Sequence, residues 1–329
     1  MSTTTVLQEI AEQTHESFTI KDLVDFSDRT YGDWRDEFHK TGCVVLKNVI
    51  SPEKAKYYCD KQIQWLKNFG LGFDEKDEST WTVDHLPISF KGGMYHGYGA
   101  THESMAWEAR SEPAVIEIFE KLWETKELIS SFDGLNVSLP RRKDVNWSPW
   151  PHCDQNPNRK GMQAVQGLLN FAPNGSKDGG LMLMKGSAKL FDEFFAQKRD
   201  QYDHEDAPPP EAKFMDLFLF HERDVQWFKD HGCELIKVNM EPGDFVLWDS
   251  RTMHYACLPE GDQIRHALEL KKQCFENFMG TTHWPHCNIR PAAEKPMRNG
   301  EVCPVYRTEP FEKPELTDTV LRLAGVKPY

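Results

Sequence analysis

Between residues 130 and 265 the chain is cut into short apolar runs of strand length, each closed by a turn rich in Gly, Pro, Asn or Asp. The runs cover 135–139, 162–171, 181–184, 234–239 and 245–249, with Asn174-Gly175-Ser176-Lys177-Asp178-Gly179-Gly180 and Glu241-Pro242-Gly243-Asp244 as two of the turns. Segments this short cannot form helices that bury a core, and their recurrence predicts an all-β barrel or sandwich. Helical patterns precede them. Ser51-Pro52-Glu53 supplies an N-cap and a first-turn proline ahead of Ala55, Tyr58, Cys59, Ile63 and Leu66 at helical spacing. Ser111-Glu112-Pro113 opens a second amphipathic helix running through Trp123. Both are expected to cover a sheet, to which the β-branched run 42–50 contributes a buried strand.

The expected organisation is an N-terminal arm over 1–30, a barrel with a helical annex over 31–270, and a C-terminal helix with an extended tail over 271–329. An insertion at about 188–232 is broken by Pro208-Pro209-Pro210, and the aperiodic, Gly- and aromatic-rich stretch 70–99 is expected to wall a pocket. A net charge of −13 and a pI near 5.5 predict no nucleic-acid partner and no anionic-membrane partner, because the long-range field repels both. The sequence has no apolar stretch of bilayer length and no basic-then-apolar leader, and its eight cysteines form no Cys-x-x-Cys pair. These features predict a cytoplasmic protein with reduced thiols.

The chemistry is concentrated in Trp147-Ser148-Pro149-Trp150-Pro151-His152-Cys153-Asp154-Gln155-Asn156-Pro157. On an extended segment His152 and Asp154 point one way and Cys153 the other. A third ligand is expected from His254, beyond the strand-like run 244–250. Two imidazoles and a carboxylate on ferrous iron leave positions for a co-substrate and for O2. Among thirteen histidines such a pair also arises by chance, so the surrounding order matters.

That order is His152-x-Asp154, the strand–turn–strand 168–184 closing on Lys185-Gly186-Ser187, then Pro242-Gly243-Asp244-Phe245-Val246-Leu247-Trp248-Asp249-Ser250-Arg251-Thr252-Met253-His254, and Arg265 eleven residues on. It resembles the phytanoyl-CoA dioxygenase-like branch of the Fe(II)/2-oxoglutarate-dependent oxygenases from about Trp34 to Arg265. The resemblance implies a double-stranded β-helix, a jelly-roll or cupin-like barrel that is mainly β with flanking helices. It implies that His152, Asp154 and His254 hold Fe(II) and that Arg265 pairs with the distal carboxylate of 2-oxoglutarate. It further implies hydroxylation or desaturation of a small organic substrate, in secondary metabolism, with release of succinate and CO2. Family members that halogenate lack the carboxylate that Asp154 supplies. Gln163 has two open readings, contact with the keto acid or satisfaction of backbone groups.

The pattern breaks after Arg265. Ala267, Leu270, Cys274 and Phe278 fall at helical spacing among good helix formers, which predicts a helix and a last barrel strand that is shortened or missing. Two other functions therefore stay open: a catalytically degenerate barrel that binds a small ligand or protein partner, and a cupin-like isomerase or dioxygenase that needs no keto acid. Asp249 with Arg251 is read as a structural ion pair, Trp147, Trp150 and Trp248 as core, and His283-Trp284-Pro285-His286 as a docking loop.

Overall fold

A computed structural model describes residues 29–202, 216–274, 297–298 and 301–329. The N-terminal arm up to residue 28, the triple proline and the His283–His286 motif lie outside the described residues.

Helix α1 (Trp34–Thr41) begins at Asp33, whose carboxylate accepts from the Arg35 amide, and ends at Gly42 in the left-handed region (φ 79°). Strand β1 (Cys43–Leu46) follows. Helix α2 (Pro52–Lys67) is capped by the Ser51 side chain, which accepts from the Lys54 amide, and buries Ala55, Tyr58, Gln62, Trp65 and Leu66. The loops after it hold one short strand, β2 (Met94–Tyr95); helices α3 (Ser104–Arg110) and α4 (Pro113–Trp123) then complete the helical layer.

A separate two-stranded pair joins Met297–Arg298 to Glu301–Val302, and the remaining strands of the two main sheets are β3 (Leu128–Ser130), β4 (Leu135–Ser138), β5 (His152–Cys153), β6 (Val165–Asn170), β7 (Gly180–Lys185), β8 (Phe218–Leu219), β9 (Glu234–Lys237), β10 (Phe245–Asp249), β11 (His254–Cys257) and β12 (Arg265–Cys274). They form two antiparallel sheets, in the orders β1-β10-β6-β12-β4-β2, with β3 also on β12, and β8-β5-β11-β7-β9. The architecture is the jelly-roll of cupin type, two facing sheets with flanking helices and no full closure.

Register sorts the side chains of the larger sheet. Directly opposed residues share a face, and the pairs Phe245↔Leu169 and Leu268↔Leu169 place all three on the face covered by α2, α3 and α4. Gly167 sits on that face because any Cβ there would lie 2.3 Å from the Phe245 ring. The pairs Val246↔Leu168, Trp248↔Gln166, Ala267↔Asn136 and Arg265↔Ser138 place the other parity toward the second sheet. There Leu168, Val246, Trp248 and Ala267 pack against Leu181 and Leu183 of β7.

The expected helix after Arg265 is not formed. β12 is a ten-residue strand, the longest in the described chain. It is central: β6 pairs along one side while β4 and then β3 pair along the other. Ladder bonds on both edges and burial on both faces outweigh the modest helix preference of Ala, Leu, Glu and Lys. A strand buried on both faces carries no clean alternation, so Ala267, Leu270 and Cys274 fell at helical spacing by coincidence. The insertion has a structural role: β8, with α5 (Phe191–Tyr202) and α6 (Glu222–Asp230) beside it, pairs with β5 and so supports the strand that carries His152.

Candidate metal centre

β5 is only two residues long, yet it is held on both sides, with His152 opposite Leu219 of β8 and opposite His254 of β11. The two histidines are therefore direct cross-strand partners on one face, with ring centroids 4.2 Å apart. Their orientation is set locally. Nδ1 of His152 lies 3.0 Å from the Trp150 carbonyl oxygen and Nδ1 of His254 lies 2.9 Å from that of Thr252. A carbonyl can only accept, so each Nδ1 carries a proton, and in the neutral ring Nε2 then presents a bare lone pair, the form in which imidazole binds a metal.

Asp154 follows β5 and is fixed by its own backbone, whose N–H donates to the Ser250 carbonyl at 2.9 Å. Its Oδ1 is 3.8 Å from His152 Nε2 and its Oδ2 is 3.5 Å from His254 Nε2. One ligand atom from each of the three residues falls within a 4.8 Å span, the group of this kind found among the described residues. The separation suits three atoms arranged around one ion, and the donor set of two neutral nitrogens and a carboxylate suits Fe(II). Trp150 stacks on His152 (4.1 Å, 9°) and Trp248 leans on His254 (5.4 Å), so both imidazoles are braced by indoles.

Arg265 opens β12 on the inner face of the larger sheet, 2% exposed. Its Nε has no hydrogen-bond partner, and no ion pair to its guanidinium is formed among the described residues. Burial lowers its pKa, opposed by the charge of Glu269. Gly180 makes room for it. With φ at 106° and an added Cβ only 3.0 Å from Arg265 Nε, no other residue fits that position without displacing the guanidinium. Nearby Lys237 is pushed down to about 8, mainly by burial and partly by Arg265, while its ammonium donates to Asn174 Oδ1 at 2.7 Å and to the Val238 carbonyl at 2.8 Å. Positive charge with unmet capacity at the end of a buried interior fits an anion such as a carboxylate.

The structure brings His152, Asp154 and His254 together and places Arg265 on the same interior. Gln163 stays with its own loop: it precedes β6, and its Nε2 donates to the Lys160 carbonyl at 2.5 Å. Gln166, three residues on, was missed by sequence reasoning, and its Nε2 donates to Asp154 Oδ2 at 2.7 Å. The available signal was a buried polar residue inside the apolar run Val165-Gln166-Gly167-Leu168-Leu169. Asp249 and Arg251 form the expected ion pair at 2.7 Å. His102 stacks on Trp107 and meets Phe132 edge-on in the helical layer. Trp248 is core as expected, whereas Trp150 joins the centre.

Comparison with known proteins agrees with this fold. The chain is 57% identical to "Ava biosynthesis cluster protein O" of Aspergillus versicolor over 279 residues, 80% of this chain and 89% of that protein. Among solved structures, EctD from S. alaskensis with bound Fe superposes with a TM-score of 0.53 at 15% identity, covering 93% of this chain and 89% of its own. The epimerase SnoN in complex with Fe3+, alpha ketoglutarate and nogalamycin RO gives a TM-score of 0.50 at 13% identity, covering 82% and 94%. At these identities the two structures speak to the fold alone. A family model described as phytanoyl-CoA dioxygenase (PhyH) matches residues 101–267, just over half of the 329-residue chain, and the chain belongs to that family.

Proposed function

We propose that this protein is an Fe(II)- and 2-oxoglutarate-dependent oxygenase that hydroxylates or desaturates a small organic substrate in secondary metabolism. The observation that carries the reading is the pairing, within one interior, of three convergent ligand atoms with a buried arginine whose guanidinium has no counter-ion among the described residues. The Aspergillus relative is named for a biosynthesis cluster and SnoN was solved with Fe3+ and alpha ketoglutarate, which supports the cofactor pair and a small-molecule substrate.

The roles follow from the geometry. His152 and His254 offer Nε2, and Asp154 offers a carboxylate oxygen. Iron(II) bound there, with 2-oxoglutarate and O2, supplies oxidation of an unactivated C–H bond coupled to decarboxylation of the keto acid to succinate and CO2. Arg265 receives the distal carboxylate, and the ion pair formed offsets a desolvation cost on the order of several kcal/mol that the buried cation otherwise carries alone. Leu168, Val246, Ala267 and Leu183 keep the space between the sheets apolar, which excludes water from the reacting groups.

The degenerate-barrel alternative rested on a lost final strand, and β12 is present over ten residues. Iron-dependent succinate formation tests the main reading. Turnover is expected with iron and 2-oxoglutarate and at background in His152→Ala; substrate-dependent turnover that survives this change, or proceeds equally without the keto acid, contradicts it.

A further inference from the structure

Asp154 has two oxygens within reach of the same locus, 3.8 Å and 3.5 Å from the Nε2 atoms of His152 and His254. Nothing in the ligand triad itself decides whether the carboxylate presents one oxygen or both. The decision has consequences for the proposed function, on which this inference rests. A six-coordinate ferrous ion with two imidazoles and one carboxylate oxygen keeps three positions, two for the chelating keto acid and one for O2. A carboxylate bound through both oxygens removes one of the three.

Gln166 lies on the inner face of β6, 5% exposed and directly opposite Trp248. Its Nε2 donates to Oδ2 of Asp154 at 2.7 Å, while its Oε1 is buried with no partner. A glutamine serving only the fold has no reason to leave one end unmet at a position that Leu or Met would fill. Only the NH2 end can face a carboxylate, so the orientation is settled by charge and the orphaned oxygen is its consequence. The glutamine is itself held in place by the ladder, since β6 is paired on one side with β10 and on the other with β12.

We propose that Gln166 is the positioning residue of the metal centre, holding Oδ2 of Asp154 so that the carboxylate offers the metal Oδ1 alone and the position beside it stays open for the co-substrate. Gln166 touches neither metal nor keto acid. It acts through Asp154, and its loss is felt most by the ligand that needs the open position.

Two experiments on the full-length protein test this. In the first, the protein is loaded with cobalt(II), which reports coordination through its visible bands and does not turn over. Gln166→Met keeps the volume and removes the donor. The expected result is a cobalt affinity about 10-fold lower, as for other outer partners of metal ligands, a changed band envelope before any keto acid is added, and a larger weakening of 2-oxoglutarate binding than of cobalt binding. Bands and affinities all within twofold of the wild type overturn the proposal. The second needs no variant. Infrared difference spectra of the cobalt-loaded wild type, with aspartate labelled by 13C, give the splitting between the two carboxylate stretches of Asp154. A wide splitting, the mark of one-oxygen binding, is expected; a narrow one overturns the proposal even if the variant fails to fold. A wild type that holds cobalt with a wide splitting but never binds 2-oxoglutarate sinks the functional reading and leaves the role of Gln166 standing.

Discussion

Arg265 and His266 are neighbours on β12, both buried, and they face opposite sides of the same sheet. His266 looks into the helical layer, where its Nδ1 meets Gln62 Oε1 at 3.0 Å while Gln62 Nε2 donates to the Ala267 carbonyl at 2.8 Å. Arg265 looks into the space between the sheets and finds no counter-ion there among the described residues, its Nε unpartnered. On the outer face Gln62 and His266 meet each other's needs. The inner face leaves capacity unmet at Arg265 Nε, Gln166 Oε1 and Trp248 Nε1. Buried polar groups in folded proteins are normally satisfied, so a face where several are not is a face shaped for something else.

The contrast makes its largest prediction at the triad. Asp154→Ala should lower metal affinity and succinate formation by more than about 100-fold, beyond the loss seen for outer partners, while the melting temperature of the metal-free protein stays near that of the wild type. Arg265→Met comes next. Losing charge-assisted bonds to the distal carboxylate, at about 1.5–3 kcal/mol each, should raise KM for 2-oxoglutarate by about 100-fold. Removing an unpaired buried cation should leave the ligand-free protein as stable as before or more so. A marked loss of stability would show that Arg265 is structural, and the contrast with His266 would fail.

On the outer face the expected signs reverse. Gln62→Leu leaves the imidazole N–H of His266 without its acceptor and should cost about 1–3 kcal/mol in urea unfolding, with KM for the keto acid unchanged. A smaller effect distinguishes the histidine itself. Burial pushes His266 down from 6.5 to about 4, so the native state keeps it neutral where the unfolded chain protonates. Its contribution is complete above about pH 6.5, declines as pH falls toward 4, and amounts to at most about 3 kcal/mol. The difference in unfolding free energy between wild type and His266→Leu should therefore shrink across that window. A difference independent of pH would mean that His266 takes up its proton in the native state as readily as in the unfolded chain.

Much of the inner face was legible in the sequence. The short runs ended by Gly and Pro gave β4, β6, β7, β9 and β10, and Ser51-Pro52 and Pro113 marked two of the covering helices. His152 and Asp154 were readable because period-two geometry acts over three residues. Their convergence with His254 depended on a cross-strand register between residues about a hundred apart, for which the sequence offered order and spacing only. β12 misled because a strand paired on both edges and buried on both faces carries no alternation, and its Ala and Leu residues fit a helix equally well. Gln166 was passed over for Gln163 because the two differ in depth rather than in type. Gln163 lies in the loop before β6, whereas Gln166 sits opposite Trp248 inside the ladder, and only pairing shows which one meets Asp154.

The most direct test of the central claim is an anaerobic titration of the metal-free protein, first with iron(II) and then with 2-oxoglutarate, followed in the visible range. The account predicts one equivalent of iron held through His152, Asp154 and His254, then a weak charge-transfer band as the keto acid chelates it, saturating in the wild type and requiring far more 2-oxoglutarate in Arg265→Met. Iron bound tightly with no band at any concentration of 2-oxoglutarate would contradict the account and leave a metal site without the co-substrate it was read to serve.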